Sequence, residues 1–109
     1  MNKIITREQI QAKLNDHEPI SIIEALPQKY FDDKHLPTAI NIPLAELETK
    51  APELIPDKKT TTIVYCSNTE CDNSRIAAEM LYEMGYVNTF EYVEGKQHWV
   101  AGNLPTEST

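Results

Sequence analysis

The amino-acid sequence predicts an α/β fold in which a parallel sheet is covered by helices on both faces. Short apolar, β-branched segments alternate along the chain with segments of helical period. The strongest strand signal, residues 61–66, is followed by a polar loop and then by an amphipathic pattern over residues 75–84. Strands that alternate with helices in this way form parallel sheets with helices packed on each side.

The amino-terminal part of the chain opens with a helix signal and continues with a strand signal. Thr6 and Gln9 form a capping box, so residues 7–15 are predicted to be helical. The segment over residues 20–25 is short, apolar and rich in β-branched residues, which favours an interior strand that ends before Pro27.

The remaining segments continue the alternation of strand and helix. In chain order we predict a short helix over residues 28–34, a strand over residues 39–42, helical turns over residues 44–50, a strand over residues 61–66, a helix over residues 75–84, a strand over residues 87–93 and a short helix over residues 96–101. Gly85 suits the position after a helix carboxyl terminus, and Trp99 is expected in the core.

Length and charge limit the classes of function. The 109 residues suit one domain, 1–109. Seventeen acidic and ten basic residues give a net charge of −7, which argues against binding to nucleic acid or to an anionic membrane. The chain lacks the roughly 20 consecutive apolar residues of a membrane span and begins without the apolar core of a signal peptide. We therefore expect a cytoplasmic protein, with no cofactor and no bound metal.

A cysteine stands where a reactive group is expected in such a fold. Cys66 ends the strand over residues 61–66 and faces the start of the next helix, at the sheet edge where ligands bind in open α/β proteins. Loop N–H groups and the helix dipole there stabilise a thiolate. The alternative for Cys66 is a buried, inert thiol. The candidate substrate-binding loop consists of Ser67, Asn68, Thr69, Glu70, Cys71, Asp72, Asn73, Ser74 and Arg75.

Several segments, in the right order, resemble single-domain rhodaneses, which are sulfurtransferases. Residues 35–43 resemble the family's H-x-P-G-A-x-N-I-P segment, residues 63–66 its nucleophile-bearing strand, and residues 94–99 its G-G-x-x-x-W closure. Similar matches occur over residues 22–26 and 77–86. The resemblance implies a rhodanese-like fold with a mostly parallel five-stranded sheet. It also implies that Cys66 takes a sulfane sulfur from thiosulfate or a protein persulfide and passes it to a thiophilic acceptor.

The candidate loop departs from the family pattern. It contains no glycine between Cys66 and Ser74, and it is about two residues longer than in the family. Glu70 and Asp72 add negative charge, which disfavours a thiolate and repels an anionic donor such as thiosulfate. We therefore expect weak activity with thiosulfate.

These departures keep other functions open. The chain could be a catalytically inactive recognition module, because a fold alone does not assign a function, or a redox switch in which Cys66 pairs with Cys71. Cys71 is either a resolving thiol or a small packed residue. A phosphatase is disfavoured, since the arginine of its Cys-x5-Arg motif is replaced by Asp72.

The helix start after the loop carries three polar residues with more than one interpretation. Ser74 or Asn73 is predicted to cap the helix, and the resemblance implies that the Ser74 hydroxyl contacts the sulfur. Arg75 either offsets the acidic loop or helps to bind the donor, or else it is a solvated side chain in the first helical turn. Lys96 and His98, in the closing segment, either supply positive potential to the loop or lie exposed on the surface.

Overall fold

The computed structural model describes residues 3–109 and shows a five-stranded, all-parallel sheet with helices on both faces. Met1 and Asn2, the first two residues of the predicted domain, lie outside the described part. The strands are β1 (Lys3–Ile4), β2 (Ile20–Glu24), β3 (Ile40–Asn41), β4 (Thr61–Tyr65) and β5 (Thr89–Tyr92). The helices are α1 (Arg7–Asn15), α2 (Gln28–Asp33), α3 (Leu47–Leu54), preceded by a 3₁₀ turn at Leu44–Glu46, α4 (Asn73–Glu83) and α5 (Gly95–Ala101). The predicted fold class is confirmed.

The sheet order is β1-β5-β4-β2-β3, so β4 lies at the centre with a parallel neighbour on each side. Alternate residues of β4 enter two separate cores. Val64 packs into the core formed with α3 and α4, while Ile63 and Tyr65 pack with the α5 residue Trp99 and the α1 residue Ile10. Because β4 is buried on both faces and paired along both edges, the residue that follows it starts from a firmly held position.

Most predicted elements are confirmed, and the differences have physical causes. The capping box of Thr6 and Gln9 is present at the start of α1. Strand β1 was not predicted, because two residues are too few for a period to show. Helix α3 continues through Pro52, beyond the predicted turns at residues 44–50, since burial of Leu47 and Ala51 holds it against the core.

Across residues 3–109, no helix combines the length and the apolar character that crossing a membrane requires.

Candidate active site

Cys66 follows β4 directly at the carboxyl edge of the sheet and faces the start of α4, as the sequence predicts. The residue is 1% exposed. Its Sγ lies 3.5 Å from the Ser74 Oγ and 3.4 Å from the carbonyl oxygen of Cys71. Its sulfur is joined to that of Cys71 in a disulfide bond. The structure therefore brings two of the predicted loop residues, Cys71 and Ser74, into contact with the buried sulfur of Cys66.

The first part of the loop is anchored by α5. The Lys96 N–H donates to the Cys66 carbonyl at 2.8 Å, and the Gln97 N–H donates to the Ser67 carbonyl at 2.9 Å. Gly95 makes this approach possible, since its φ is +76° and an added Cβ would lie 2.6 Å from the Cys66 carbonyl oxygen. The peptide groups on either side of Ser67 are thus fixed by the amino end of α5.

The second part of the loop is closed by Asn68 in place of a glycine turn. The Asn68 side-chain oxygen accepts from the Glu70 N–H at 2.9 Å, and the Asn68 carbonyl accepts from the Cys71 N–H at 3.1 Å. Asparagine closes turns by this kind of bond to a backbone two residues on. No residue from 66 to 74 has a positive φ. The missing glycine is explained, because this loop has no position that needs one.

The two cysteines form a pair within the loop. Their Cα atoms are 6.4 Å apart, within the usual range for a disulfide. Cys66 is buried, while Cys71 is half-buried beside the exposed residues Thr69 and Glu70. In this oxidised state Cys66 offers no thiolate, so a reductant must open the bond before Cys66 can act as a nucleophile.

The predicted helix cap at Ser74 or Asn73 is wrong. Helix α4 begins at Asn73, and its N-cap is Asp72, whose side chain makes no capping hydrogen bond. The Ser74 hydroxyl instead donates to the Glu91 carboxylate at 2.9 Å. The Asn73 side-chain amide donates to the Ala25 carbonyl at 3.0 Å, which ties α4 to the end of β2. Both side chains serve contacts between distant segments, and such contacts leave no signal in local spacing.

Arg75 lies on the half-exposed side of α4. One guanidinium nitrogen is 3.8 Å from the Asp72 carboxylate, and another is 3.7 Å from that of Glu79. The positive charge of Arg75 is therefore shared with two acidic neighbours, so it offsets part of the acidic character of the loop.

A buried polar network beneath the loop was missed by the sequence reasoning. Glu24, at the end of β2, is fully buried and accepts from the Tyr65 hydroxyl at 2.6 Å. The Lys96 ammonium donates to Glu24 at 3.0 Å and to the carbonyls of Tyr30 at 2.8 Å and Lys34 at 2.7 Å. An acidic residue inside an otherwise apolar strand was the available signal.

The hydrogen bonds of Lys96 and His98 decide between the interpretations left open for these two residues, and the network fixes the protonation state of Tyr65. Burial, and then the Glu24 carboxylate, raise the pKa of Tyr65 well above its usual value, so its hydroxyl stays protonated. The Lys96 ammonium is committed to Glu24 and to two carbonyls, so it holds α5 in place and is not directed at the loop. His98 is neither exposed nor aimed at the loop, because its Nδ1 lies 2.7 Å from the Tyr92 hydroxyl.

A separate cavity of about 650 Å³ lies beside α2, and none of residues 66–75 lines it. Phe31 forms part of its wall, together with Asn41 and Lys50. The cavity is therefore not the immediate surroundings of Cys66.

Comparison with known proteins gives one consistent result. The family model of the rhodanese-like domain matches residues 6–102. Thiosulfate sulfurtransferase PspE of Escherichia coli (strain K12) is 40% identical over 63 residues, which cover 58% of this chain and 58% of PspE. The putative sulfur carrier protein YrkF of Bacillus subtilis (strain 168) is 24% identical over 95 residues, which cover 87% of this chain and 49% of YrkF.

Solved structures agree with the sequence comparison. The crystal structure of the BH2092 protein from Bacillus halodurans matches with a TM-score of 0.90 and 21% identity, over 99% of this chain and 78% of that chain. At this identity the match shows a shared fold. The chain spans about half the length of the curated relatives that it matches.

Proposed function

This chain belongs to the rhodanese-like domain family, and from that premise we propose that it is a sulfurtransferase whose Cys66 carries a sulfane sulfur as a persulfide. The observation that carries the proposal is the position of Cys66. It directly follows the central strand β4, its carbonyl is anchored by α5, and its sulfur faces the start of α4. A thiolate held in this way is oriented for repeated attack and release.

The proposed reaction has two sulfur-transfer steps. After reduction of the disulfide, the Cys66 thiolate attacks the outer sulfur of the donor. With thiosulfate, the sulfur–sulfur bond of the donor breaks, sulfite leaves, and Cys66 becomes a persulfide. A nucleophilic acceptor then attacks the outer persulfide sulfur, and the bond to Cys66 breaks so that the thiolate is restored. Reduction of the Cys66–Cys71 bond must come first, because only a thiolate attacks.

The charge around the loop supports a donor other than free thiosulfate. Glu70 is exposed, Asp72 lies at the helix start, and Arg75 is shared between Asp72 and Glu79. An anion approaching Cys66 thus meets negative charge that is only partly offset. One relative is described as a putative sulfur carrier protein, which favours protein persulfides as donors and protein thiols as acceptors.

The test is intact-mass analysis of the reduced protein after exposure to a donor. Wild type, Cys66→Ser and Cys71→Ser are treated with thiosulfate and, separately, with a protein persulfide donor. We expect one sulfur atom to be added to Cys71→Ser, none to be added to Cys66→Ser, and the added atom to be removed by cyanide as thiocyanate. Cys71→Ser is the matched control, since it changes a thiol in the same loop and leaves the proposed nucleophile intact.

Two results would contradict the proposal. Equal loading of Cys66→Ser would place the sulfur on another residue. Failure of Cys71→Ser to load from either donor would favour a recognition module on the same fold.

A further inference from the structure

The Cys66–Cys71 pair has a geometry that the transfer of sulfur to an acceptor does not require. The Cys71 sulfur reaches the Sγ of Cys66 itself, which is the inner sulfur of a Cys66 persulfide. That inner sulfur is almost completely buried, while the Cys71 side stands at the half-buried rim of the loop. External thiols therefore meet the outer sulfur first, whereas Cys71 has direct access to the inner one.

We propose that Cys71 resolves the loaded Cys66 and releases the carried sulfur as sulfide, an activity that rests on the proposed function. The Cys71 thiol gives up its proton, and the resulting thiolate attacks the Sγ of the Cys66 persulfide. A Cys66–Cys71 bond forms, the bond from Sγ to the outer sulfur breaks, and the outer sulfur leaves with the electron pair. The Cys71 proton passes to the leaving sulfur, so the products are the disulfide and hydrosulfide. An external dithiol then reduces the disulfide to two thiols and is itself oxidised to a disulfide.

The construction of the loop supports this step. Cys66 and Ser67 are tied to α5 through their carbonyls, and the Asn68 side-chain amide donates to the Gln97 side chain of α5 at 3.3 Å, whereas residues 69–71 are held by the turns that Asn68 makes within the loop. Closing the disulfide therefore needs movement of the Cys71 side only. An attacking thiol held five residues away in the same loop replaces a bimolecular collision by an intramolecular step, which raises its rate.

The carried sulfur thus has two fates that differ in the atom attacked. An acceptor that reaches the outer sulfur takes it as sulfane sulfur, while attack by Cys71 on the inner sulfur discards it as sulfide. Cys71 therefore makes the chain a sulfide-releasing, dithiol-dependent enzyme when no acceptor is bound.

The test is a single turnover of reduced protein in the absence of oxygen and of added reductant. Wild type, Cys71→Ser, Cys71→Ala and Cys66→Ser are treated with thiosulfate and, separately, with glutathione persulfide, and both sulfide and protein mass are followed. Wild type should end as the disulfide with one sulfide released per chain. The two Cys71 variants should keep one added sulfur on Cys66 and release sulfide at a rate at least about tenfold lower than that of wild type. Cys66→Ser gives the background rate of sulfide release.

The outcomes separate the two proposals. If wild type holds a stable persulfide on Cys66 while Cys71 stays a free thiol, the resolving role is wrong and the sulfurtransferase proposal stands. A persulfide found on Cys71 would also overturn it, because Cys71 would then have attacked the outer sulfur. If neither Cys71 variant gains sulfur from either donor, the proposed function fails and this inference fails with it. Matching circular dichroism spectra exclude misfolding of the variants.

Discussion

Replacing Lys96 with methionine should strongly destabilise the fold, because it leaves a buried carboxylate without its counter-ion. Glu24 is fully buried, and its two oxygens accept from the Lys96 ammonium at 3.0 Å and the Tyr65 hydroxyl at 2.6 Å. Methionine keeps an unbranched side chain, one heavy atom shorter than that of lysine, and removes the charge and its hydrogen bonds. Breaking a buried ion pair on one side lowers the free energy of unfolding by about 3–5 kcal/mol. That is a large share of the roughly 5–15 kcal/mol that stabilises a domain.

Urea unfolding, followed by circular dichroism, measures this change. Lys50→Met is the matched control, because Lys50 pairs with Glu46 on the surface, where the side chains are 48% and 44% exposed. An exposed pair contributes at most about 1 kcal/mol. The double variant Glu24→Gln/Lys96→Met removes both charges. It should be destabilised by about 0.5–3 kcal/mol less than the sum of the two single changes.

The reasoning is refuted if Lys96→Met unfolds at the same urea concentration as Lys50→Met, or if the changes at Glu24 and Lys96 are additive. Either result would mean that water reaches the Glu24 carboxylate and stabilises it without the lysine.

Three further predictions follow from the loop and its supports. Gly95→Ala should destabilise the fold and slow the loading of Cys66, because its Cβ would lie 2.6 Å from the Cys66 carbonyl oxygen. Gly85→Ala is the matched control: it should destabilise the fold without slowing the loading of Cys66, since its Cβ would meet only the Lys58 side chain. Ser74→Ala should lower the free energy of unfolding by about 1–3 kcal/mol, because the Glu91 carboxylate loses a donor. An unchanged urea midpoint would contradict this. Glu70→Gln should raise kcat/KM for thiosulfate by up to about fivefold at low salt. Persistence of this gain at high ionic strength would argue against a charge effect.

The sequence was most informative where a structural feature is local. The run at residues 61–66 predicts β4 because it joins four β-branched residues to Tyr65 and Cys66 without a charged residue, as a strand buried on both faces requires. The position of Cys66 then follows, since the polar loop begins directly after it. Strand β1 could not be predicted, because Lys3–Ile4 gains its strand character from pairing with Phe90 and Glu91 of β5, near the other end of the chain.

The roles of Ser74, Glu24 and Lys96 escaped prediction because they depend on distant contacts. Ser74 has the chemistry of a helix cap, and only the fold places the Glu91 carboxylate beside it, 17 residues along the chain. Glu24 and Lys96 are 72 residues apart, so nothing in local spacing indicates that they pair. The roles of these polar side chains were set by which segments the sheet brings together, and α4 and α5 both pack at the edge where β4 ends.

The same supports explain how one loop could serve both a persulfide and a disulfide. The bonds from the Lys96 and Gln97 N–H groups hold the carbonyls of Cys66 and Ser67, and the Lys96 ammonium anchors that end of α5 to the sheet through Glu24. The position of Cys66 is therefore set by contacts that do not involve its sulfur. A change in the bonding of that sulfur leaves those contacts in place, so any movement falls on the residues nearer Cys71. Separate support for the two cysteines is what a cycle requires when one sulfur must stay at the reaction centre while the other approaches and withdraws.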